Sequence, residues 1–273
     1  MKTILIRSIL FFATIIFFAG CHEVNTTVHL NKDGSGTLEE SVLMSSQVVQ
    51  MISAFASSFD STAADTNKFS LFQPDQLKAD TSKYGSGIKY LSGEEVKENE
   101  KEGYRVVYSF DNINKLRINQ NPNSKIDMEG IDVEEEDTSK EILHFDFSPG
   151  DPASLLIKLP SKKDQEVTNE APSQDTAGTN TEGMDELVKL MKDMHITLKI
   201  DVNGKIVETN ANYVSGSEVT LFDISFNELL DNPEKLKMFK QQSPQNLEEI
   251  KKIMENLPGV KIELNDEVKI KFE

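Results

Sequence analysis

One cysteine, no tryptophan and four histidines set the first limits on this chain of 273 residues. Cys21 has no second thiol to pair with, so no disulfide and no cysteine metal cluster is available. The histidines are His22, His29, His144 and His195. They form no HExxH, and a histidine metal centre needs several converging ligands. No metal ion and no cofactor is therefore expected. GxSxG and a phosphate-cradling glycine loop are missing as well. Ser86-Gly87-Ile88-Lys89 fits S-x-x-K, but it has no SDN or KTG companion and opens a strand where that chemistry uses a helix. No catalytic residue can be named, and the expectation is a protein that is not an enzyme.

Positive charge is also scarce. Against 46 acidic residues stand 29 basic ones, and removing Lys2 and Arg7 with the leader leaves 27, a balance of −19. Such a surface repels phosphates and excludes nucleic acid as a partner. Basic proteins, cationic peptides and divalent cations remain compatible with it. The densest acidic run, Asp132 to Asp137, reads as a solvated loop, with cation binding the sharper alternative.

Long hydrophobic runs are limited to one. Ser8 to Phe18 is nearly unbroken, follows Lys2 and Arg7, and ends in the small residues Ala19 and Gly20 before Cys21. This is the outline of a cleaved secretory signal. It is about half the roughly 20 residues that a spanning helix needs. Phe18-Ala19-Gly20-Cys21 resembles the lipobox of bacterial lipoproteins, with Phe18 where Leu is more usual. The resemblance implies cleavage after residue 20, a diacylglycerol thioether on Cys21 and acylation, as by palmitate, of its new amine. Membrane lipid would then be a partner, through acylated Cys21. His22, rather than Asp, follows the cysteine, which implies the outer membrane, facing the periplasm.

The rest of the chain is patterned for a fold. Val24, Thr26, Val28 and Leu30 alternate with Asn25, Thr27 and His29 as in a half-buried strand, after a tether of a few residues. Asn31 to Gly36 turns the chain into a second strand, a hairpin using Gly34 and Gly36 for positive φ. Ser45 or Ser46 caps a helix carrying Val48, Met51, Ile52, Phe55 and Phe59 at helical spacing. Shorter elements follow: a helix from Pro74, a strand at Ile88 to Leu91, a charged turn from Glu94 to Gly103, and strands at Tyr104 to Phe110, Leu143 to Phe147 and Leu155 to Leu159. Pro160 to Gly183 has almost no large aliphatic residue, the composition of a disordered linker or insertion. Beyond it, Leu187 to Met194 shows helical spacing. Asn203-Gly204, the preferred type I′ pair, predicts a hairpin in which Ile200 faces Val207. Glu218 to Phe226 reads as a strand, Asn232 and Ser243 open helices, and Val260 to Phe272 reads as a closing hairpin across Asn265-Asp266-Glu267.

These elements predict an α+β fold with a largely antiparallel sheet built from hairpins and packed helices. The divisions are a leader over 1–20, an N-terminal part over 21–159, the linker or insertion over 160–183 and a C-terminal part over 184–273. His29 to Glu40 places Asn31, Asp33, Gly34 and Glu40 as in a calcium loop, but its first position is His29, a poor calcium ligand, and the flanks alternate as strands rather than helices.

Two landmarks, Val28-His29-Leu30-Asn31-Lys32-Asp33-Gly34-Ser35-Gly36 and Gly204-Lys205-Ile206-Val207-Glu208-Thr209-Asn210-Ala211, resemble those that open and close LppM-type lipoprotein domains. The likeness would span Val24 to Phe226. It implies an envelope module suited to ligand or lipid handling, with no catalytic residues to carry over. The trailing membrane helix of that family is missing here. The reading that follows is a membrane-anchored, non-enzymatic binding or assembly module that engages an envelope protein or an amphiphilic ligand. The alternative is a periplasmic hydrolase whose carboxylates come together only on folding.

Overall fold

The structure is a computed structural model that describes residues 22–59, 70–119, 142–160, 194–231 and 257–273. The leader, Cys21, the acidic run 132–137, nearly all of 160–183, and the helices expected at Leu187, Asn232 and Ser243 lie outside the described residues. Thirteen strands dominate the rest, in chain order. They are β1 (His22–Leu30), β2 (Gly36–Ser45), β3 (Lys89–Glu98), β4 (Lys101–Phe110), β5 (Ile118–Asn119), β6 (Ile142–Ser148), β7 (Ala153–Lys158), β8 (His195–Val202), β9 (Ile206–Thr209), β10 (Val214–Ser215), β11 (Glu218–Ser225), β12 (Val260–Ile262) and β13 (Glu267–Phe272). Three short α-helices accompany them: α1 (Ser46–Phe59), α2 (Pro74–Ala79) and α3 (Phe226–Leu230).

The strands form two sheets. The larger has eight strands in the order β10-β11-β8-β1-β2-β4-β3, with β12 also pairing β11; the smaller has five, β5-β6-β7-β13-β9. Every pairing is antiparallel except β1 with β8. The period-two pattern explains which face each strand buries. Val24, Val28 and Leu30, Leu38 and Val42, Val106 and Tyr108, and Leu198 and Ile200 line the inner face of the large sheet. Leu143 and Phe147, Leu155 and Ile157, and Val268, Ile270 and Phe272 supply the small one, and a single hydrophobic cluster joins both sets. The parts on either side of 160–183 share both sheets, through β1–β8 and β7–β13.

Several local expectations need correction. Asn203-Gly204 makes no hairpin: β8 stays in the large sheet, where Ile200 pairs with Val28 and Val219, while β9 joins β13 in the small one. Neither residue has the positive φ of a type I′ turn; Asn99 and Glu100 do, at 49° and 62°, and join β3 to β4. Gly204 serves close approach instead, since a Cβ there would lie 2.5 Å from the carbonyl oxygen of Glu273. The closing hairpin also fails, because β12 pairs with β11 and β13 with β7 and β9. The charged turn from Glu94 is a strand, the exposed outer edge of the large sheet. The residues expected as a tether before Val24 are strand, since β1 begins at His22. Of the first hairpin's glycines only Gly34 has positive φ.

Gly36 and Gly103 answer to packing. A Cβ on Gly36 would meet the His29 carbonyl oxygen at 2.0 Å, and one on Gly103 the Val42 carbonyl oxygen at 1.9 Å. Gly103→Ala is therefore expected to destabilise by about 3 kcal/mol, because backbone must move. Gly87→Ala meets nothing within 4 Å and bears only its φ of +82°, a strain of about 1 kcal/mol. Urea unfolding of the two variants checks the order; equal losses would contradict it.

Candidate functional site

Among the described residues a concavity lies where three turns meet at one end of the large sheet. It has a volume of about 350 Å³ and is lined by His29, Asn31, Asp201, Asn203, Gly204 and Ser217 among others. The parallel register sets His29 beside Asp201, on the face of the sheet away from the core. Asp201 is the hub: His29 Nδ1 lies 3.1 Å from its Oδ2, and Ser217 donates to Oδ1 at 2.7 Å. Glu39 approaches the other ring nitrogen of His29 at 3.8 Å. Asn203 donates from its side chain to Asn31 Oδ1 at 3.1 Å and from its backbone to the Leu30 carbonyl at 2.7 Å.

Each turn has a local cause. In the first, Asp33 accepts from the Ser35 backbone and hydroxyl at 2.9 and 2.6 Å, and those bonds hold its carboxyl below the usual carboxylate range. Gly34, at φ +87°, brings the backbone to within 2.7 Å of the Phe147 ring, measured from where a Cβ would stand. The two landmark motifs thus meet at the recess, Asn31 from one beside Asn203, the residue preceding the other.

Chemically the recess offers hydrogen bonds. Ser217 donates to the carboxylate and not to the imidazole, so the recess does not make the serine–histidine contact of an activated nucleophile. Asp201 is the one acidic residue lining the recess, so the recess supplies no carboxylate pair of the kind a glycoside hydrolase uses.

Cys21 lies outside the described residues, immediately before β1. The calcium-loop positions are pulled apart, because His29 pairs with Thr37 on the outer face while Glu40 pairs with Thr26 on the inner one. Ser86 sits in an exposed turn, and Lys89 pairs with Asp111 at 3.0 Å. The other described histidines have separate partners: His144 lies 3.1 Å from Arg117 and His195 lies 2.8 Å from Asp223. Asp223 also accepts from Lys261 at 3.1 Å. Burial works against its charge, but these two partners outweigh it and hold the carboxyl below its ordinary value. Among the described residues no three His, Cys, Asp or Glu side chains are grouped to hold a metal ion.

Two buried carboxylates carried no usable sequence signal. Glu40, 2% exposed, accepts from Tyr84 at 2.9 Å and Tyr104 at 3.3 Å. Burial first, and then the charge of Glu40, push both tyrosines well above their ordinary values; Tyr108, whose hydroxyl donates to the Leu77 carbonyl at 3.0 Å, is also raised. Glu263, 3% exposed, accepts from the backbone and side chain of Asn212 and from the backbone of Leu264 and Asn265. This clamp fixes the crossing from β12 to β13.

No family profile matches the chain, and no curated protein matches it. Among solved structures, the NMR structure of the folded domain of the Mycobacterium tuberculosis LppM protein aligns with 77% of this chain and 85% of its own length, at 9% identity and a TM-score of 0.31.

Glu40→Ala removes the buried carboxylate that accepts from Tyr84 and Tyr104 and is expected to cost about 3 kcal/mol in urea unfolding, whereas Glu40→Gln, which keeps an acceptor, costs about 1 kcal/mol. A loss from alanine no greater than from glutamine would contradict this. The raised tyrosines also set a pH limit. Their protons are retained in the fold while the unfolded chain releases them near pH 10, so stability is full below that value and falls above it. Phenolate absorbance at 295 nm from Tyr84, Tyr104 and Tyr108 is expected only together with loss of structure by circular dichroism.

Proposed function

We propose that this chain is a lipid-anchored bacterial envelope lipoprotein, held through acylated Cys21 in the outer membrane and facing the periplasm. In this reading it acts as a non-enzymatic binding or assembly module whose partner is an envelope protein. The observation that supports it is the course of β1. The strand starts at the residue after Cys21 and ends at Leu30, beside the polar recess. At a strand rise of about 3.3 Å per residue, the recess stands about 27 Å from the anchor. The module therefore rests one end of its sheet on the membrane and turns the other outward.

The chemistry of that outward end favours a protein over an amphiphile. Most of the buried apolar side chains among the described residues join in one packed cluster, and the exposed ones, Leu91, Val207 and Val214, do not line the recess. The recess offers amide, hydroxyl, imidazole and carboxylate groups that suit polar side chains and backbone. An acyl chain gains nothing from such a lining, because its transfer from water depends on apolar contact.

The test is done in cells. Wild-type protein is expected to incorporate labelled palmitate, to accumulate as precursor under globomycin, and to lose the label as Cys21→Ala. A photoreactive side chain at exposed Asn203 is expected to give a discrete protein adduct, and one at exposed Asp146 none. An unlabelled wild type overturns the anchor. A labelled protein without the Asn203 adduct overturns the recess as the partner's surface.

A further inference from the structure

We infer that α1 is a second membrane contact, lying in the headgroup layer of the same bilayer that holds the acyl chains of Cys21. The inference rests on the anchor reading and extends it from a point of attachment to a surface. Its first observation is electrostatic. From Ser41 to Phe59 the chain has no charged residue, although 27% of its residues are charged; the next longest such stretch after the leader, Thr209 to Ser217, is less than half as long. The α1 positions with described, exposed side chains are Gln47, Gln50 and Ala54, all neutral.

The second observation is position. His22 pairs with Met44, so the end of β2 lies beside the first residue after the anchor, and α1 starts two residues later, capped by Ser45 through the Val48 backbone at 3.3 Å. Val48 and Val49 are buried and hold the first turn to the body of the protein. The helix cannot leave the neighbourhood of the anchor, because no tether intervenes. The nearby acidic residues belong to other elements: Glu98, Glu100 and Glu102 lie in β3, β4 and their turn, where the Glu100 carbonyl accepts from the Ser46 backbone at 2.8 Å, and Glu23 is paired with Lys101 at 3.0 Å. A neutral helix approaching headgroups strips no charge of water, and an interfacial helix with a serine- and glutamine-rich polar face senses lipid packing more than lipid charge. Added salt therefore leaves the contact intact.

The lipidation of Cys21 gives the test its selectivity, since any cysteine added elsewhere is then the one free thiol. Ala54→Cys, Gln50→Cys and Asn203→Cys are made in the full chain, expressed with lipidation, labelled with an environment-sensitive fluorophore and reconstituted in phosphatidylethanolamine–phosphatidylglycerol vesicles. A nitroxide-bearing phospholipid serves as quencher, and palmitate labelling is read on the same samples. Quenching about threefold stronger at positions 50 and 54 than at 203 is expected for a helix in the interface. Palmitate-labelled protein with equal quenching at all three positions overturns the helix contact and leaves the anchor standing. Protein without palmitate overturns the anchor and this inference with it.

Discussion

The parallel pairing of β1 with β8 is the contact on which the rest of the structure depends. It joins residues 172 positions apart in the chain, as in His29 and Asp201. Loop closure over that length is entropically unfavourable. The compensation comes from burial, since Val28, Leu30, Leu198, Ile200 and Val202 are all at most 2% exposed. Without this seam the β1-β2-β4-β3 group and the β8-β11 group would each present an open edge. The same register places Thr197 to donate to Asn25 at 2.8 Å on the outer face and assembles the polar recess at the far end.

Much of the strand content was legible because a half-buried strand alternates by necessity. Val24 to Leu30, Tyr104 to Phe110 and Leu143 to Phe147 all bury the residues that their alternation indicates. Neighbour relations were not legible, because alternation reports which face is buried and is silent about which strand lies alongside. That is why Ile200 finds Val28 and Val219 rather than Val207, and why residues 260–262 and 267–272 separate into different sheets. The edge strand β3 escaped for the opposite reason: exposed along most of its length, it needs few apolar residues, and Glu94 to Glu98 read as a turn.

The recess left a fainter trace. Val28-His29-Leu30-Asn31 and Ile200-Asp201-Val202-Asn203 share a spacing of apolar, polar, apolar and asparagine positions, and the structure lays one beside the other. The pairing of His29 with Asp201 follows from that alignment, not from either segment alone. Buried acids were harder still. Glu40 sits among tyrosines that approach from positions 84 and 104, and Glu263 is satisfied mostly by backbone donors. Such groups are tolerated inside because their partners arrive with the fold.

The start of β1 at His22 has a consequence for encounter rates. A domain on a long flexible tether samples a hemisphere above its membrane, and its binding surface is diluted through that volume. With the acyl anchor proposed at Cys21, a central strand that begins at the next residue leaves almost no slack, and the recess would then be confined to a thin slab at one height. A partner fixed in the same leaflet then searches in two dimensions, with an effective concentration set by geometry rather than by abundance. For a partner at a mismatched height the same rigidity forbids engagement, so distance from the bilayer becomes a criterion of recognition in its own right.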